Sequence, residues 1–236
     1  GYGKMGQAIE AEAVARGHEV VARIRSTDAW NLHDADVVVE FTQPESAATN
    51  LKRLAELGKP VICGTTGWFQ ELPSVEAAFF NAHNRLIYAS NFSLGVQLAF
   101  QLNRQMAELL APYRDQYRPS IEEVHHTAKK DAPSGTAITL AENVIDSSNS
   151  LTNWKLTTSD QIIREVDSDT LPIQAQRISG VPGTHVLQFE SEVDIIKLEH
   201  EAKSRLGFAI GAVVAAEWLY GKTGVFGMRD LLNFEN

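Results

Sequence analysis

The sequence predicts an α/β protein in which a doubly wound parallel sheet is joined to an α+β domain with a mixed or antiparallel sheet. Over the first ninety residues, short apolar segments alternate with helical patterns, as in strand–helix–strand units. After about residue 110, extended segments with a period of two predominate, which is typical of sheets that are exposed on one face. These two sequence patterns predict two domains.

Each element of the first part follows from composition and from helix stop signals. Segments rich in valine and isoleucine are predicted as buried parallel strands at His18–Ala22, Val37–Phe41, Val61–Cys63 and Leu86–Ala89. Helices are predicted from Lys4 to Arg16 and from Pro44 to Leu57, because Gly17 and Gly58 follow them and glycine commonly ends a helix. A longer amphipathic helix is predicted over Leu94–Leu110.

The second part is predicted to contain four further strands. They are Ser120–Val124, Ile173–Ser179, His185–Glu192 and Asp194–Ala202. In the last of these, Ile196 and Leu198 alternate with charged residues, which indicates a half-exposed antiparallel sheet. Val181–Thr184 has the Pro-Gly chemistry of a type II turn, and the polar residues 146–160 are predicted to form a loop. The apolar stretch Phe208–Leu219 is predicted as a helix that needs a large partner surface.

Charge and cysteine content narrow the classes of function. The net charge is −9 and the pI is near 5.3, which argues against a nucleic-acid partner or an anionic membrane. No apolar run approaches the length of a membrane span. The single cysteine, Cys63, excludes an internal disulfide and is predicted to be a small buried strand residue. A reducing, cytoplasmic location is therefore expected.

Gly1–Gly6 has the spacing G-x-G-x-x-G of a dinucleotide-binding turn. Glycines there allow a pyrophosphate to approach the amides at a helix N-terminus. A plain helix-starting loop is the alternative, and the alternating elements that follow weigh against it. A strand normally precedes such a turn, and because the sequence begins at the turn we expect the sheet to lack that strand. Two further polar segments follow predicted strands, at Gly64–Gly67 and at Asn91, although an ordinary turn asparagine is an alternative for the latter.

Residues 122–137 combine several groups that suit the reduction of an anionic substrate. His125 and His126 end a strand, and a histidine supplies a proton near neutral pH. Ser134 is predicted to cap a helix whose first amides, on Gly135 and Thr136, would bind a carboxylate. In the alternative interpretation one histidine is structural, Lys129 and Lys130 are surface charges, and the Ser-Gly-Thr sequence is only a helix cap. No metal is expected, because we see no Cys, Asp or Glu at ligand spacing around the histidines.

The segment His125–Ala137 closely resembles the motif H-H-x-x-K-x-D-A-P-S-G-T-A of the 4-hydroxy-tetrahydrodipicolinate reductases. Other segments resemble the same family, so the resemblance spans nearly the whole chain. They are Gly3–Gly6, Glu40–Pro44, Gly64–Gly67, Ala89–Val96, Gly207–Ala212 and Gly227–Asp230. Residues 146–172 match nothing that we can identify in the family.

The resemblance implies a fold, an activity and an assembly. Residues 1–92 and 206–236 would form a Rossmann-type dinucleotide-binding domain, and residues 93–205 a substrate-binding and oligomerisation domain. The family reduces 4-hydroxy-tetrahydrodipicolinate to tetrahydrodipicolinate, with NADPH or NADH, in lysine and diaminopimelate biosynthesis. The substrate is a small dicarboxylate, and members usually form homotetramers through the sheet of the substrate domain.

The resemblance also implies roles for single residues. His125 matches the proton donor, and Lys129 matches a second proton-handling or carboxylate-binding group. The residues that match substrate contacts, together with the predicted helix cap, are His126, Ser134, Gly135 and Thr136. The expected cofactor contacts are Gly1, Gly3, Lys4, Met5, Gly6, Gly64, Thr65, Thr66, Ala89, Ser90, Asn91 and Phe92.

Arg25 is the expected determinant of cofactor choice. Rossmann folds that prefer NADH carry a carboxylate near the end of the second strand, and here no acidic residue follows Val20 until Asp28. We expect Arg25 to bind a 2′-phosphate, so that NADPH is accepted at least as well as NADH. In the alternative interpretation, Arg23 and Arg25 are both surface charges.

Two other functions are alternatives on the same fold class. A different Rossmann dehydrogenase, of the amino-acid or homoserine type, has no use for the residues between Lys129 and Thr136. A nucleotide-sensing regulator would be expected to carry a DNA-binding segment, and none is visible in the sequence.

Overall fold

The computed structural model describes residues 1–25, 28–32, 34–157 and 166–234. The chain divides into two compact units. Unit 1 comprises Gly1–Leu94 and Arg205–Asn236, and unit 2 comprises Gly95–Ser204. Among the helices in the described ranges, none combines the length and the apolar character needed to cross a bilayer.

Unit 1 contains a sheet of four parallel strands, in the order β1-β2-β3-β9. These strands are β1 (Val38–Glu40), β2 (Val61–Cys63), β3 (Arg85–Tyr88) and β9 (Gly224–Phe226). Its helices are α1 (Lys4–Ala15), α2 (Pro44–Glu56), α3 (Leu72–Asn81), α6 (Leu206–Leu219) and α7 (Met228–Leu232). Gly17 and Gly58 have φ of +88° and +66°, so the predicted glycine stops of α1 and α2 are confirmed.

Side chains of the central strands alternate between two apolar cores, which is the mark of a doubly wound sheet. Val61 and Cys63 lie in a core with residues of α2 and α3, whereas Ile62 lies in a second core with residues of α1 and α6. Cys63 is fully buried, as predicted. A period of two along each strand sends successive side chains to opposite faces, so helices are needed on both faces.

The predicted strand His18–Ala22 is not formed, because no ladder pairing is found for residues 18–25 in the described structure. In a doubly wound sheet this segment pairs with the strand that precedes the glycine turn. In the described ranges, β1 pairs with β2 only.

Unit 2 contains a mixed five-stranded sheet, in the order β5-β6-β4-β7-β8. The strands are β4 (Arg118–His125), β5 (Asn153–Thr157), β6 (Thr170–Arg177), β7 (Gly183–Glu190) and β8 (Ile195–Ala202). β4 is parallel to β6 and antiparallel to β7, and the predicted antiparallel pairing of the last two strands is confirmed. Helices α4 (Leu94–Leu110) and α5 (Gly135–Asp146) accompany this sheet, and residues from both enter its apolar core.

Two local predictions in unit 2 were wrong. Residues 146–160 were expected to form a loop, but β5 lies within them and pairs in parallel with β6, while Trp154 packs against the core; residues 158–160 lie outside the described structure. The type II turn was expected at Val181–Thr184. The positive φ, +82°, belongs instead to Gly180, and Gly183 pairs with Ala202 inside the ladder.

Candidate active site

The glycine turn opens α1, and two of its glycines are required by close packing. A side-chain carbon on Gly1 would collide with the carbonyl oxygen of Phe41, and one on Gly6 would collide with the carbonyl oxygen of Gly1. Gly3 is the N-cap of α1, and no side chain in the described ranges caps it. The amides of the first turn, which begins at Lys4, are therefore available to an anion.

The loops that follow β1 and β2 are held together by a buried carboxylate. Glu40, at the end of β1, accepts a hydrogen bond from the Thr65 hydroxyl at 2.6 Å, one from the Asn50 amide at 3.2 Å, and one from the Thr42 hydroxyl. The backbone N–H of Thr42 in turn donates to the Thr65 hydroxyl at 2.8 Å. The Thr65 hydroxyl, an expected cofactor contact, is thus engaged within the protein, and its side chain fixes the loop.

Gly64 and Thr66 lie beside this carboxylate. A side-chain carbon on Gly64 would collide with the ring of Phe41, which explains why the residue is glycine. Thr66 is exposed, so its hydroxyl is accessible. Met5, also an expected cofactor contact, packs its side chain against the apolar core and can offer a ligand only its backbone.

The expected cofactor residues after β3 are Ala89, Ser90, Asn91 and Phe92. The Asn91 side-chain oxygen accepts a hydrogen bond from the backbone N–H of Ser93 at 2.8 Å, so this asparagine also shapes the turn. Phe92 is buried, and its carbonyl oxygen packs so closely on α6 that a side-chain carbon at Gly211 would collide with it. Ser90 is exposed.

The two arginines after α1 have different surroundings. Arg23 forms an ion pair with Glu10, which also accepts a hydrogen bond from Tyr2. Arg25 is exposed, and its guanidinium lies 6.0 Å from the centroid of the Tyr2 ring. The Asp28 carboxylate accepts a hydrogen bond from the backbone N–H of Arg25 at 2.7 Å.

In unit 2, the end of β4 brings a histidine and a carboxylate to the same face of the sheet. Glu123 and His125 are two residues apart in the strand, and both are buried. The Glu123 Oε2 atom lies 3.5 Å from Nδ1 of His125. That nitrogen is buried and has no hydrogen-bond partner within the described residues.

The same carboxylate holds the start of α5. Both oxygens of Glu123 accept from the backbone N–H of Ser134, at 3.0 and 3.1 Å. The Ser134 hydroxyl accepts from the N–H of Ala137 at 3.2 Å, which confirms the predicted N-cap. Gly135 and Thr136 are the first residues of α5; Gly135 is exposed, and a side-chain carbon there would meet open space.

Two charged residues of the loop between β4 and α5, Lys129 and Asp131, form a polar contact with each other, and Asp131 also contacts Arg177. Lys129 pairs with Asp131, with Nζ–O distances of 2.7 and 2.9 Å. Arg177, from β6, donates to Glu123 at 3.1 Å and to the carbonyl oxygen of Asp131 at 2.6 Å. The His126 carbonyl accepts from the N–H of Lys129 at 3.0 Å, so the expected substrate contact His126 lies in a turn beside the lysine.

His185 is a site residue that the sequence analysis missed. Its ring meets that of His125 edge to face, with centroids 5.0 Å apart, and its Nε2 lies 3.0 Å from the Ser134 hydroxyl. The sheet register brings these groups together, because Glu123 lies opposite His185 in β7 and His125 lies opposite Arg177 in β6. The alternation within β4 could have identified Glu123, but only the strand pairing identifies its partners.

The surroundings of both histidines favour the neutral imidazole. Burial lowers the pKa of His125, the Glu123 carboxylate acts to raise it, and the charges of Lys129 and Arg177 lower it further; the net effect is a lowered pKa. Burial, with the neighbouring His125, lowers the pKa of His185 to about 3. A carboxylate beside His125 is thus the group that opposes the loss of its proton.

The expectation that no acidic residue stands at ligand spacing around the histidines was wrong. Atoms of Glu123, His125 and His185 that can bind a metal all lie within 4.8 Å of one another. The Glu123 carboxylate is, however, already bonded to Ser134 and to the cationic Arg177. The arrangement is therefore that of a hydrogen-bonded network around Glu123, and the positive charge of Arg177 disfavours a cation in the same place.

Comparison with known proteins gives the same family along the whole chain. Residues 1–92 match the family model "Dihydrodipicolinate reductase, N-terminus" and residues 95–232 match "Dihydrodipicolinate reductase, C-terminus". The chain belongs to the dihydrodipicolinate reductase family. It is 42% identical to the 4-hydroxy-tetrahydrodipicolinate reductase of Christiangramia forsetii, across 99% of this chain and 95% of that protein. It is 36% identical to the enzyme of the same name from Pseudoalteromonas atlantica, across 84% of this chain and 73% of that protein.

A solved member of the dihydrodipicolinate reductase family has a similar fold. The dipicolinate-bound dihydrodipicolinate reductase from Paenisporosarcina sp. TG-14 is 22% identical and gives a TM-score of 0.72, with 95% of this chain and 94% of that chain covered. The resemblance inferred from His125–Ala137 is therefore confirmed, and the chain is an oxidoreductase. Family membership decides against both alternative functions that were weighed on the sequence.

Proposed function

We propose that this reductase converts 4-hydroxy-tetrahydrodipicolinate to tetrahydrodipicolinate with NADPH or NADH, in lysine and diaminopimelate biosynthesis, and that unit 2 holds the dicarboxylate and protonates it. One observation carries the proposal. The Ser134 amide on the Glu123 carboxylate fixes the N-terminus of α5 next to His125. An anion-binding terminus and a proton donor are thereby built into one network. The named relatives carry the same activity in their names.

The substrate carboxylates are proposed to bind at the start of α5. The amides of Gly135 and Thr136 form the first turn, where the helix dipole favours an anion, and the space beside Gly135 is open. Lys129 adds a positive charge close by, and a substrate carboxylate would compete with Asp131 for it. His126 and Ser134 complete this group, Ser134 chiefly as the cap. The solved relative is bound to dipicolinate, itself a dicarboxylate, which supports a dicarboxylate as the ligand class.

The nicotinamide cofactor is proposed to bind at the glycine turn of unit 1. The residues fit the group, because close packing at Gly1 and Gly6 and the uncapped N-terminus of α1 leave backbone amides accessible to a pyrophosphate. The loops fixed by Glu40, which carry Gly64 and Thr66, and the turn at Asn91 are further proposed contacts. When bound, NAD(P)H supplies the hydride.

His125 is proposed to supply the proton that completes the reduction. Addition of a hydride to a conjugated imine leaves an electron-rich enamine, and its protonation breaks an N–H bond of the imidazolium and forms the new bond on the product. The electron pair of that N–H bond remains on the ring, which becomes neutral. Lys129 is proposed as the second proton-handling or carboxylate-binding group.

The test of this function is a coupled assay. The protein is mixed with pyruvate, aspartate semialdehyde, dihydrodipicolinate synthase and either NADPH or NADH, and cofactor oxidation is followed by absorbance. We expect oxidation that requires all components and that stops when pyridine-2,6-dicarboxylate is added in excess. Oxidation that is equally fast without the synthase would contradict the proposed substrate.

A homotetramer in the cytoplasm is the proposed context. Among the described strands β8 lies at a sheet edge, and it exposes Ile195 and Ile196, with the exposed Val193 two residues before the strand. An exposed apolar edge strand is a surface that proteins usually cover. Sedimentation equilibrium should give four chains per particle, and a monomer at assay concentration would contradict the assembly.

A further inference from the structure

We propose that Glu123 is a positioning residue for His125: its buried carboxylate holds Nδ1 of the imidazole, so that Nε2 is the nitrogen that gives the proton to the substrate. This inference rests on the proposed function and adds to it a residue that acts through another. Glu123 is fully buried and does not itself need to contact the substrate.

The buried carboxylate of Glu123 is both hydrogen-bonded and paired with an arginine. A buried carboxylate is costly unless it is hydrogen-bonded or paired. Here Arg177 supplies the opposite charge at 3.1 Å, and the Ser134 amide donates to both oxygens. The group is therefore held from β6 and from α5, and its position relative to β4 is fixed.

Of the two histidine nitrogens beside Glu123, Nδ1 of His125 is the one without a hydrogen-bond partner among the described residues. Oε2 lies 3.5 Å from Nδ1 of His125 and 3.7 Å from Nε2 of His185. The His185 nitrogen already lies 3.0 Å from the Ser134 hydroxyl, whereas Nδ1 of His125 is buried without a hydrogen-bond partner in the described ranges. A separation of 3.5 Å is long for a hydrogen bond, but catalytic hydrogen bonds are often long before substrate binds.

The edge of the His125 ring that carries Nε2 and Cδ2 is also closely packed. Gly183, in β7, faces it so closely that a side-chain carbon would come within 3.0 Å of Nε2 and 3.1 Å of Cδ2. The His185 ring closes a third side, edge to face. The imidazole therefore has one well-defined orientation, with Nδ1 towards Glu123.

This orientation sets where the proton goes. With Nδ1–H donated to Glu123, the imidazolium loses its other proton, from Nε2, to the enamine, and the neutral ring keeps Nδ1–H. The carboxylate stabilises the charged ring before transfer and selects the tautomer afterwards, without itself taking a proton. The charged and titratable groups that face His125 are Glu123 from β4, Lys129 and Asp131 from the following loop, Arg177 from β6 and His185 from β7.

The first measurement is the tautomer of His125 in the wild-type protein, which does not depend on activity. Imidazole ¹H–¹⁵N correlation spectra are recorded at a pH where the ring is neutral, and His125→Gln identifies its signals. We expect Nδ1 to carry the proton. A ring protonated on Nε2 would overturn the proposal, whether or not any Glu123 variant folds.

The second measurement compares Glu123→Gln with Glu123→Asp. Glutamine keeps an acceptor for Ser134 and Arg177 but turns an NH2 donor towards Nδ1 and removes the charge. We expect kcat to fall roughly tenfold or more near pH 8, and the alkaline limb of the pH–rate profile to move to lower pH. Aspartate keeps the charge and should restore part of both.

Controls separate this role from a merely structural one. Glu122 is the exposed neighbour in the same strand, and Glu122→Gln should match the wild type. Affinity for pyridine-2,6-dicarboxylate should change less than twofold in folded Glu123→Gln. A folded Glu123→Gln with an unmoved pH profile would refute the positioning role. Absence of reductase activity in the wild type would instead refute the proposed function.

Discussion

Two side chains near the start of α5 differ in how the protein holds them. His125 is buried against Glu123, whereas Lys129 is paired with the exposed Asp131, a partner that a substrate carboxylate is proposed to replace. Burial acts to raise the pKa of Asp131, but the hydrogen bonds and charge of Lys129, with Arg177, outweigh it and lower the pKa. The lowered pKa of Asp131 favours the ionised carboxylate that the pair with Lys129 requires.

Replacement of either residue should remove most of the activity. We expect His125→Gln and Lys129→Ala each to lower kcat by roughly 10²-fold or more, because each removes a group that handles a proton or orients the anion. Steady-state kinetics in the coupled assay measure this loss. Lys130→Ala, at an exposed neighbouring lysine, is the matched control and should retain kcat. Unchanged kcat in both folded variants would exclude the two residues from the mechanism.

Arg25 should determine how well NADPH is used. It is exposed, while Arg23 is already paired with Glu10, so Arg25 is the arginine available to a 2′-phosphate. We expect kcat/KM for NADPH at least equal to that for NADH, and a drop of roughly tenfold for NADPH alone in Arg25→Ala. Arg23→Ala is the control for a non-specific loss of kcat/KM on removal of a nearby arginine. A clear NADH preference in the wild type would contradict this prediction. It would indicate that Asp28 acts as the carboxylate of NADH-preferring Rossmann folds.

Residue roles were predictable where a short motif contains the whole interaction. The cap by Ser134 needs only Ala137, three residues away, and was predicted. The contact of Glu123 with His185 and Arg177 joins three strands that are distant in sequence, so it depends on register, which the sequence does not specify without the fold.

At the scale of elements, the start of α5 can be tested one amide at a time. Gly135 is the first helical residue, where proline is tolerated and removes only the N–H. Ser134 before it is extended, with φ −69° and ψ 155°, as a residue preceding proline should be. We expect Gly135→Pro to weaken pyridine-2,6-dicarboxylate binding roughly 10- to 100-fold, the usual worth of a hydrogen bond to a charged group.

Gly135→Ala is the matched control for that experiment. It keeps the amide, and its side chain enters open space, so affinity should stay within about twofold of the wild type. Calorimetry measures both variants. Equal affinities of the proline and alanine variants would show that this amide does not bind the anion.

The packing of α6 on the segment after β3 should be sensitive to one methyl group. At Gly211 an added side-chain carbon would collide with the carbonyl oxygen of Phe92, and backbone atoms cannot move aside cheaply. We expect Gly211→Ala to lower the free energy of unfolding by about 1–3 kcal/mol or more. Denaturant unfolding measures this, with Gly207→Ala in the same helix as control, because its side chain would meet Ser93 only at 3.4 Å. Equal losses in the two variants would contradict the packing explanation.

Helices and strands were predictable from sequence where the hydrophobic periodicity and the stop signals agree. Helix α4 and strand β2 have the predicted bounds. The polar strand β5 was missed because its stability comes from pairing with β6, and His18–Ala22 was predicted in error because strand propensity cannot supply a ladder partner.

At the scale of the whole molecule, the units have separate apolar cores, and acid should destabilise unit 2, in which His185 is buried. His185 is neutral when folded, with a pKa near 3, against about 6.5 in an unfolded chain. Between these values the unfolded state binds more protons, so the free energy of unfolding falls as pH is lowered from 6.5 towards 3. One residue contributes at most about 1.4 kcal/mol per pH unit to this slope.

His185→Gln removes that contribution. We expect its free energy of unfolding, from denaturant titrations followed by circular dichroism, to decline less steeply below pH 6.5 than that of the wild type. His83→Asn is the control, because His83 is exposed and lies at a φ of +47° that asparagine tolerates. Parallel pH slopes for the wild type and His185→Gln would contradict the buried-neutral state of His185.

The pairing of β9 with β3 has a consequence for how the chain is made. Unit 2 is continuous in sequence, whereas the sheet of unit 1 gains its last strand only when Gly224–Phe226 has been synthesised. At about 5–20 residues per second, the delay after β3 is on the order of ten seconds. During that interval, one edge of the nascent parallel sheet has not yet paired with β9. The apolar face that α6 later covers is also still uncovered. Unit 2, although encoded second, is thus the first that can finish folding.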